Sequence, residues 1–177
     1  LNAYFDNSAT TKPCEEAVAA AQKAMLEYWG NPSSLHRAGS DASSQLRKAR
    51  KQVASLLRVP ENNFYFTSSG TTANNTAIFG AYEKLKREGK RIDTTAIEHP
   101  SVSEPIKRLE AQGCEVIRLN PDKNGKINEN DIFDAINENT ILVSMMAVNN
   151  EVGSVLPVNT IRTSVKRAKA PAVIHSD

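Results

Sequence analysis

The sequence predicts an α/β protein built on a mostly parallel sheet with both faces covered. Three observations carry this. From Asn63 onward, short β-rich runs alternate with amphipathic runs, the pattern of strand–helix–strand units. Two of the helical runs close on glycines, Gly89 and Gly113, where helices commonly stop. The chain, at 177 residues, 40% hydrophobic and 24% charged, has ordinary globular composition, which excludes disordered and collagen-like classes.

The elements follow in order. Pro13 precedes a helix over Glu15–Tyr28 that sets Val18, Ala21, Met25 and Tyr28 on one face. Residues 30–34, Gly-Asn-Pro-Ser-Ser, break it. A second helix over Asp41–Arg58 turns Leu46, Ala49, Val53, Leu56 and Leu57 inward and Arg47, Lys48, Arg50 and Lys51 mostly outward. That basic face reads first as a solvated surface and second as a dock for an acidic partner. Phe64–Thr67 reads as a strand, Thr71–Glu88 as a helix and Arg91–Ile97 as a strand. Ser101–Gln112 is a helix, Cys114–Leu119 a strand, and Pro121–Gly125 a turn. A helix over Asn128–Asn137, a strand over Thr140–Met146, a helix over Asn159–Lys169 and a strand over Ala172–His175 complete the pattern.

Charge and cysteine usage narrow the function classes. Lys and Arg total 22 against 20 acidic residues, a net charge of +2, so nothing pulls strongly toward nucleic acid. The longest apolar run, Ile141–Val148, is interrupted by Ser144 and falls short of the ~20 residues of a membrane helix. No basic segment followed by an apolar stretch opens the chain, so no secretory signal is visible. Two cysteines, Cys14 and Cys114, and three scattered histidines make neither a disulfide framework nor a zinc site. A cytoplasmic, reducing setting follows. The two cysteines read as structural, small buried hydrophobes. The chain begins without Met and stops on a hydrophobic strand followed by Ser176-Asp177, which reads as a piece of something longer.

Ligands of open α/β sheets gather at the carboxyl ends of the strands. After Phe64–Thr67 comes Ser68-Ser69-Gly70-Thr71-Thr72, leading into a helix. Alone, this reads first as an N-cap with a turn and second as a phosphate cradle of small residues, hydroxyls and a helix N-terminus. After Arg91–Ile97 come Glu98 and His99, alone a cap or surface group; after Thr140–Val148 come Asn149 and Asn150, alone a turn. After the last strand comes Asp177, a carboxylate that needs a cation or strong donors if buried. Together they put an anion cradle, an imidazole, an amide and a carboxylate at successive strand ends. Pyridoxal phosphate requires that set: tail on the cradle, ring under the imidazole, ring hydroxyl on the amide, pyridine nitrogen on the carboxylate. A dinucleotide competes, but no G-x-G-x-x-G follows the first strand.

These residues make the chain similar to the N-terminal half of the NifS/IscS-type cysteine desulfurases, pyridoxal-phosphate enzymes of the class-V aminotransferase family and fold type I. The resemblance rests on Tyr4–Thr11, Gly30–Gly39, Phe66–Thr72 with Asn75, Glu98-His99, Val148–Gly153 and His175-Ser176-Asp177. It implies the three-layer α/β/α aspartate-aminotransferase fold. Residues 1–14 would form an N-terminal arm and residues 15–177 the first part of the large cofactor-binding domain. It implies that Gly70 and Thr71 bind the cofactor phosphate, that His99 stacks on the ring and assists proton transfer, that Asn150 meets the ring hydroxyl and Asp177 the ring nitrogen. Asn31 would lie near the substrate carboxylate. Thr72 and Ala73 depart from the family's usual Gly-Ala-Thr-Glu-Ser phosphate loop.

The implied activity is removal of sulfur from L-cysteine, giving L-alanine and an enzyme persulfide for iron–sulfur or thio-cofactor assembly. A sulfur-acceptor protein and a second copy of the chain are the implied partners. The Schiff-base lysine, the persulfide cysteine and the carboxylate-binding arginine are expected beyond Asp177, so these 177 residues alone would be inactive. Two alternatives stand beside this one: a selenocysteine lyase or related lyase, and a non-catalytic fragment or binding module.

Overall fold

The computed structural model describes residues 3–177, which divide into two compact units, Leu1–Phe66 and Thr67–Asp177. Among the described residues, no helix is long and apolar enough to cross a membrane.

The first unit holds α1 (Glu15–Glu27), α2 (Arg37–Leu57) and a 3-10 turn at Glu61–Asn63. Glu15 and Glu16 sit in the first turn of α1, where carboxylates favour the helix dipole. The expected buried face is not realised: α1 has no buried residue, and Val18 and Met25 are exposed. A stripe determines which face of a helix can be buried; it does not supply the surface that buries it. Cys14, expected inside, is exposed at the N-cap of α1, whereas Cys114 is buried as expected.

Helix α2 starts four residues before the expected position. His36 caps it, Nδ1 accepting the Gly39 N–H at 3.4 Å; histidine is not a usual cap, which is why the signal is faint. Its buried residues are Gly39, Ala42 and Ala54, while Leu46, Leu56 and Leu57, expected inward, are exposed. The small residues mark where backbone comes close. A Cβ on Gly39 would lie 2.3 Å from the Ser34 carbonyl oxygen and 2.7 Å from that of Asn31, so the 31–34 turn packs directly on the first turn of α2. Phe64–Thr67, expected as a strand, has no ladder partner among the described residues. Phe64 is extended and stacks edge-on against Phe66 at 4.9 Å. Local sequence can extend the chain, but a strand exists only where a neighbour accepts its hydrogen bonds.

The second unit carries α3 (Gly70–Leu85), β1 (Arg91–Thr95), α4 (Pro100–Ala111), β2 (Glu115–Leu119), α5 (Glu129–Ala135), β3 (Thr140–Ser144), α6 (Val158–Ala168) and β4 (Val173–His175). Each matches an expected element within a few residues. The four strands are all parallel, in the order β2-β1-β3-β4. Ile92 and Leu142 pack with Ile78, Val102, Ile106 and Leu109 of α3 and α4 on one face. Val143 and Met145 pack with Ile132 and Ile161 of α5 and α6 on the other. This is the expected α/β/α stack. The β1–β3 register slips at Arg91/Ile92, which is how both Ile141 and Leu142 enter the first cluster.

Candidate active site

From β1 the chain crosses to β2 on one side; from β3 it crosses to β4 on the other. That reversal opens a crevice at the carboxyl ends of β1 and β3, the usual ligand position of an open α/β sheet. A cleft of about 490 Å³ lies there, between Ile97-Glu98, the turn from Pro121 to Gly125, and Asn149 with Glu151-Val152.

A continuous chain of hydrogen bonds joins side chains of α4, α3, β4 and β3. His99 caps α4, its Nδ1 accepting the Ser101 backbone N–H at 3.1 Å and lying 2.7 Å from Ser101 Oγ. Asn74 Nδ2 donates to Ser101 Oγ at 2.9 Å. Asn74 Oδ1 lies 3.1 Å from His175 Nε2, and His175 Nδ1 lies 2.8 Å from Ser144 Oγ. Helix α4, the first turns of α3, β4 and β3 are thus tied at one side of the sheet. Asn74 and Ser144 are buried, and burial holds the His175 imidazole below its ordinary value, opposed by the nearby Asp177 charge.

The Ser68–Thr72 segment realises the capping reading. Ser69 Oγ accepts the Thr72 N–H at 3.1 Å. Capping does not exclude the cradle, because the amides of Gly70 and Thr71, the first of the helix, have no intrahelical acceptor. A Cβ on Gly70 would meet nothing within 4 Å, so the space beside this residue is open. Both residues are exposed and stand one turn from Asn74.

Glu98 and Asn149 organise the crevice. Glu98 Oε1 accepts from Thr95 Oγ1 at 2.6 Å and from the Met146 N–H at 3.0 Å, while Oε2 has no partner among the described residues. Burial pushes this carboxyl above its ordinary range; the Thr95 and Met146 hydrogen bonds oppose the shift and the Asp177 charge adds to it. Asn149 Nδ2 donates to the Ile97 carbonyl at 3.1 Å, and its Oδ1 accepts the N–H groups of Glu151 and Val152, both at 3.0 Å. Asn149 is therefore the buried clamp, leaving Asn150 exposed beside it.

Of the expected site residues, His99 is joined through Ser101 and Asn74 to α3, the helix that Gly70 and Thr71 open; none of the expected residues lines the cleft itself. Asp177 follows His175 by two residues, and its charge acts on both His175 and Glu98. Asn150 borders the clamp on the 149–152 turn. Asn31 belongs to the first unit, where its Oδ1 accepts the Ser33 N–H at 2.9 Å. Sequence reasoning missed Asn74, Ser101, Ser144 and the clamp role of Asn149. One signal existed: Asn74 starts the buried stripe Asn74–Ile78–Ala81 of α3, and a polar residue on an apolar stripe needs buried partners. The donor set fits an aromatic ligand with an anionic tail and a basic edge: open helix amides, an exposed imidazole held at one nitrogen, and an exposed carboxylate.

Comparison with known proteins agrees. The class-V aminotransferase family matches residues 3–177. A NifS/IcsS protein homolog of Lactobacillus delbrueckii subsp. bulgaricus is 46% identical over 89% of this chain and 41% of its own length. The cysteine desulfurase IscS of Methanosarcina thermophila is 42% identical over 89% of this chain and 39% of its own length. Among solved structures, a NifS-like protein superposes with TM-score 0.95 at 34% identity, covering 100% of this chain and 49% of that one. DndA from Streptomyces lividans does so with TM-score 0.84 at 32% identity, over 99% of this chain and 49% of its own. The chain thus spans about 40% of the length of these curated relatives. Class-V aminotransferases and cysteine desulfurases are pyridoxal-phosphate enzymes. With its parallel sheet, its strand-end crevice and a match running from residue 3 to residue 177, the chain belongs to the class-V aminotransferase family.

Proposed function

We propose that the protein containing this chain is a cysteine desulfurase, releasing L-alanine from L-cysteine and retaining the sulfur as an enzyme persulfide. The observation that carries the reading is the hydrogen-bonded chain His99–Ser101–Asn74–His175, which ties the α3 amides, the imidazole and the strand leading to Asp177 together. High similarity to desulfurases supports it, as does a structure of SspA in complex with cysteine, which covers 97% of this chain at 29% identity and TM-score 0.88.

Pyridoxal phosphate, when bound, supplies an electron sink for a carbanion next to nitrogen. The residues of this chain do the rest. Gly70 and Thr71 would hold the phosphate through helix N-terminal amides and the Thr71 hydroxyl. Asp177 would pair with the pyridine nitrogen and favour its protonated form, Asn150 would bond the ring hydroxyl, and His99 would stack on the ring. Asn31 would serve the substrate carboxylate. In this reading residues 1–14 are an arm at the site entrance, and 15–177 begin the large domain. The lysine and nucleophilic cysteine come from residues after 177.

A homodimer is part of the proposal. Its support is the exposure of several large apolar side chains of the first unit, Phe5, Met25, Leu26 and Trp29. A cytoplasmic location and a sulfur-acceptor protein complete it. The test is alanine release by full-length protein loaded with pyridoxal phosphate. L-cysteine turnover supports the assignment; turnover of selenocysteine alone makes the protein a selenocysteine lyase, and no turnover of either overturns the enzymatic reading.

A further inference from the structure

We propose that Asn74, Ser101, His175 and Ser144 are positioning residues that lock His99 as its Nε2–H tautomer, making it a hydrogen-bond donor rather than a base toward a bound ligand. This rests on the site reading above but goes beyond it, because the ring's role is derived from its partners.

A backbone N–H only donates, so the Ser101 amide, 3.1 Å from His99 Nδ1, makes that nitrogen an acceptor. Ser101 Oγ, 2.7 Å from the same nitrogen, then donates its proton there. That hydroxyl needs a donor of its own, and Asn74 Nδ2 provides it at 2.9 Å. The amide orientation of Asn74 follows, with Oδ1 turned to accept from His175 Nε2 at 3.1 Å. With its proton on Nε2, neutral His175 accepts at Nδ1, and the Ser144 hydroxyl donates there at 2.8 Å. Every hydrogen bond points the same way, from β3 through β4 and α3 to the cap of α4.

The direction has a chemical consequence. Neutral His99 takes up a proton only at its bare nitrogen, Nδ1, and there both Ser101 donors stand in the way. Nε2, on the opposite edge of the ring, carries a proton that can be donated. Asn74 would relay the reverse polarity only with its amide turned over, which would set its oxygen against a Ser101 hydroxyl whose proton is already directed at His99 Nδ1. Burial of Asn74, Ser101 and Ser144 makes breaking any link expensive, because a buried polar group left unpaired loses its full desolvation energy.

The test reads tautomers directly and needs no cofactor. Full-length protein labelled with ¹⁵N-histidine is examined by long-range ¹H–¹⁵N correlation, His99 and His175 being assigned by their Gln variants. Both are expected as single Nε2–H forms with bare Nδ1. Ser101→Ala keeps the backbone N–H but removes the shorter, 2.7 Å hydroxyl donor that holds the ring against it, and Asn74→Asp draws the Ser101 hydroxyl to itself; both are expected to lose the single-form signal of His99, and Ser101→Thr restores it. An Nδ1–H form of His99 in the parent protein overturns the proposal without any variant. So does an unchanged His99 signal in both disruptive variants when their unfolding transitions show them folded. Uptake of pyridoxal phosphate, followed in the same samples by visible absorption, reports separately on the functional reading.

Discussion

Glu98 Oε1 accepts the backbone N–H of Met146 at 3.0 Å, joining the end of β1 to the end of β3 across the crevice. The same oxygen takes the Thr95 hydroxyl at 2.6 Å. One buried carboxylate oxygen therefore satisfies two donors that would otherwise be stranded. Glu98→Ala is expected to destabilise the fold by about 2 kcal/mol or more, the scale of leaving buried donors unpaired. Glu98→Gln keeps an acceptor in place and removes a buried charge, so it should stay within about 1 kcal/mol of the parent. Urea unfolding of the two variants is the measurement; equal losses would refute the account.

Asp93, in the middle of β1, gives a pH signature. Burial raises its carboxyl from 3.8 to about 6, against the opposing Thr140 hydrogen bond and the Arg91 charge. The folded state thus holds this proton more tightly than the unfolded chain does. The contribution is most favourable below pH 3.8, declines as pH rises through the window to about 6, and is flat above it, a span of roughly 3 kcal/mol at most. Asp93→Asn keeps one acceptor oxygen for Arg91, turns its NH₂ toward the Thr140 hydroxyl oxygen and cannot titrate. It should gain on the parent between pH 4 and 6; parallel stability curves over that range would rule the mechanism out.

Two glycines should respond oppositely to alanine. At Gly39 the new Cβ would lie 2.3 Å from the Ser34 carbonyl oxygen, backbone that can yield only by moving the 31–34 turn, so a loss of about 1 to 3 kcal/mol is expected. At Gly70 the space is empty, and Gly→Ala in a compatible helix position stabilises by about 0.4 to 1 kcal/mol. Thermal unfolding of both variants checks the pair; a Gly39→Ala protein as stable as the parent contradicts the packing.

The neighbouring asparagines should separate structure from ligand binding. Asn149→Ala removes a buried donor to Ile97 and the acceptor for Glu151 and Val152, and should cost about 1 to 3 kcal/mol of stability. Asn150 is exposed and carries none of these bonds. Asn150→Ala should leave the unfolding midpoint in place while weakening pyridoxal phosphate binding, read by titration of visible absorption. If both variants lose stability equally, the division of roles fails.

The second unit was legible because its signals are local and repeat. Asn128 and Gly113 stand where a cap and a helix stop belong, and β3 runs Thr-Ile-Leu-Val-Ser, buried throughout. The first unit misled wherever burial depended on a partner surface: the apolar residues of α1 recur on one face, less sharply than those of α4, yet none is buried. Phe64–Thr67 failed for the same reason, since an extended run without an accepting neighbour is not a strand. In the site, His99 was visible from its place before Pro100. Ser101 and Asn74, 27 residues apart, were not, because nothing in a linear chain announces which buried amide meets which hydroxyl.

By itself, the sequence determined the strand–helix alternation, the parallel sheet it requires and the chemical identity of the groups at the strand ends, because periodicity and residue type act over a few neighbours. Only the tertiary structure decided the strand order that opens the crevice, the clamp at Asn149, and the direction of the hydrogen bonds reaching His99. Those depend on which distant donors and acceptors are buried together, and a buried polar group takes its partner from space rather than from sequence.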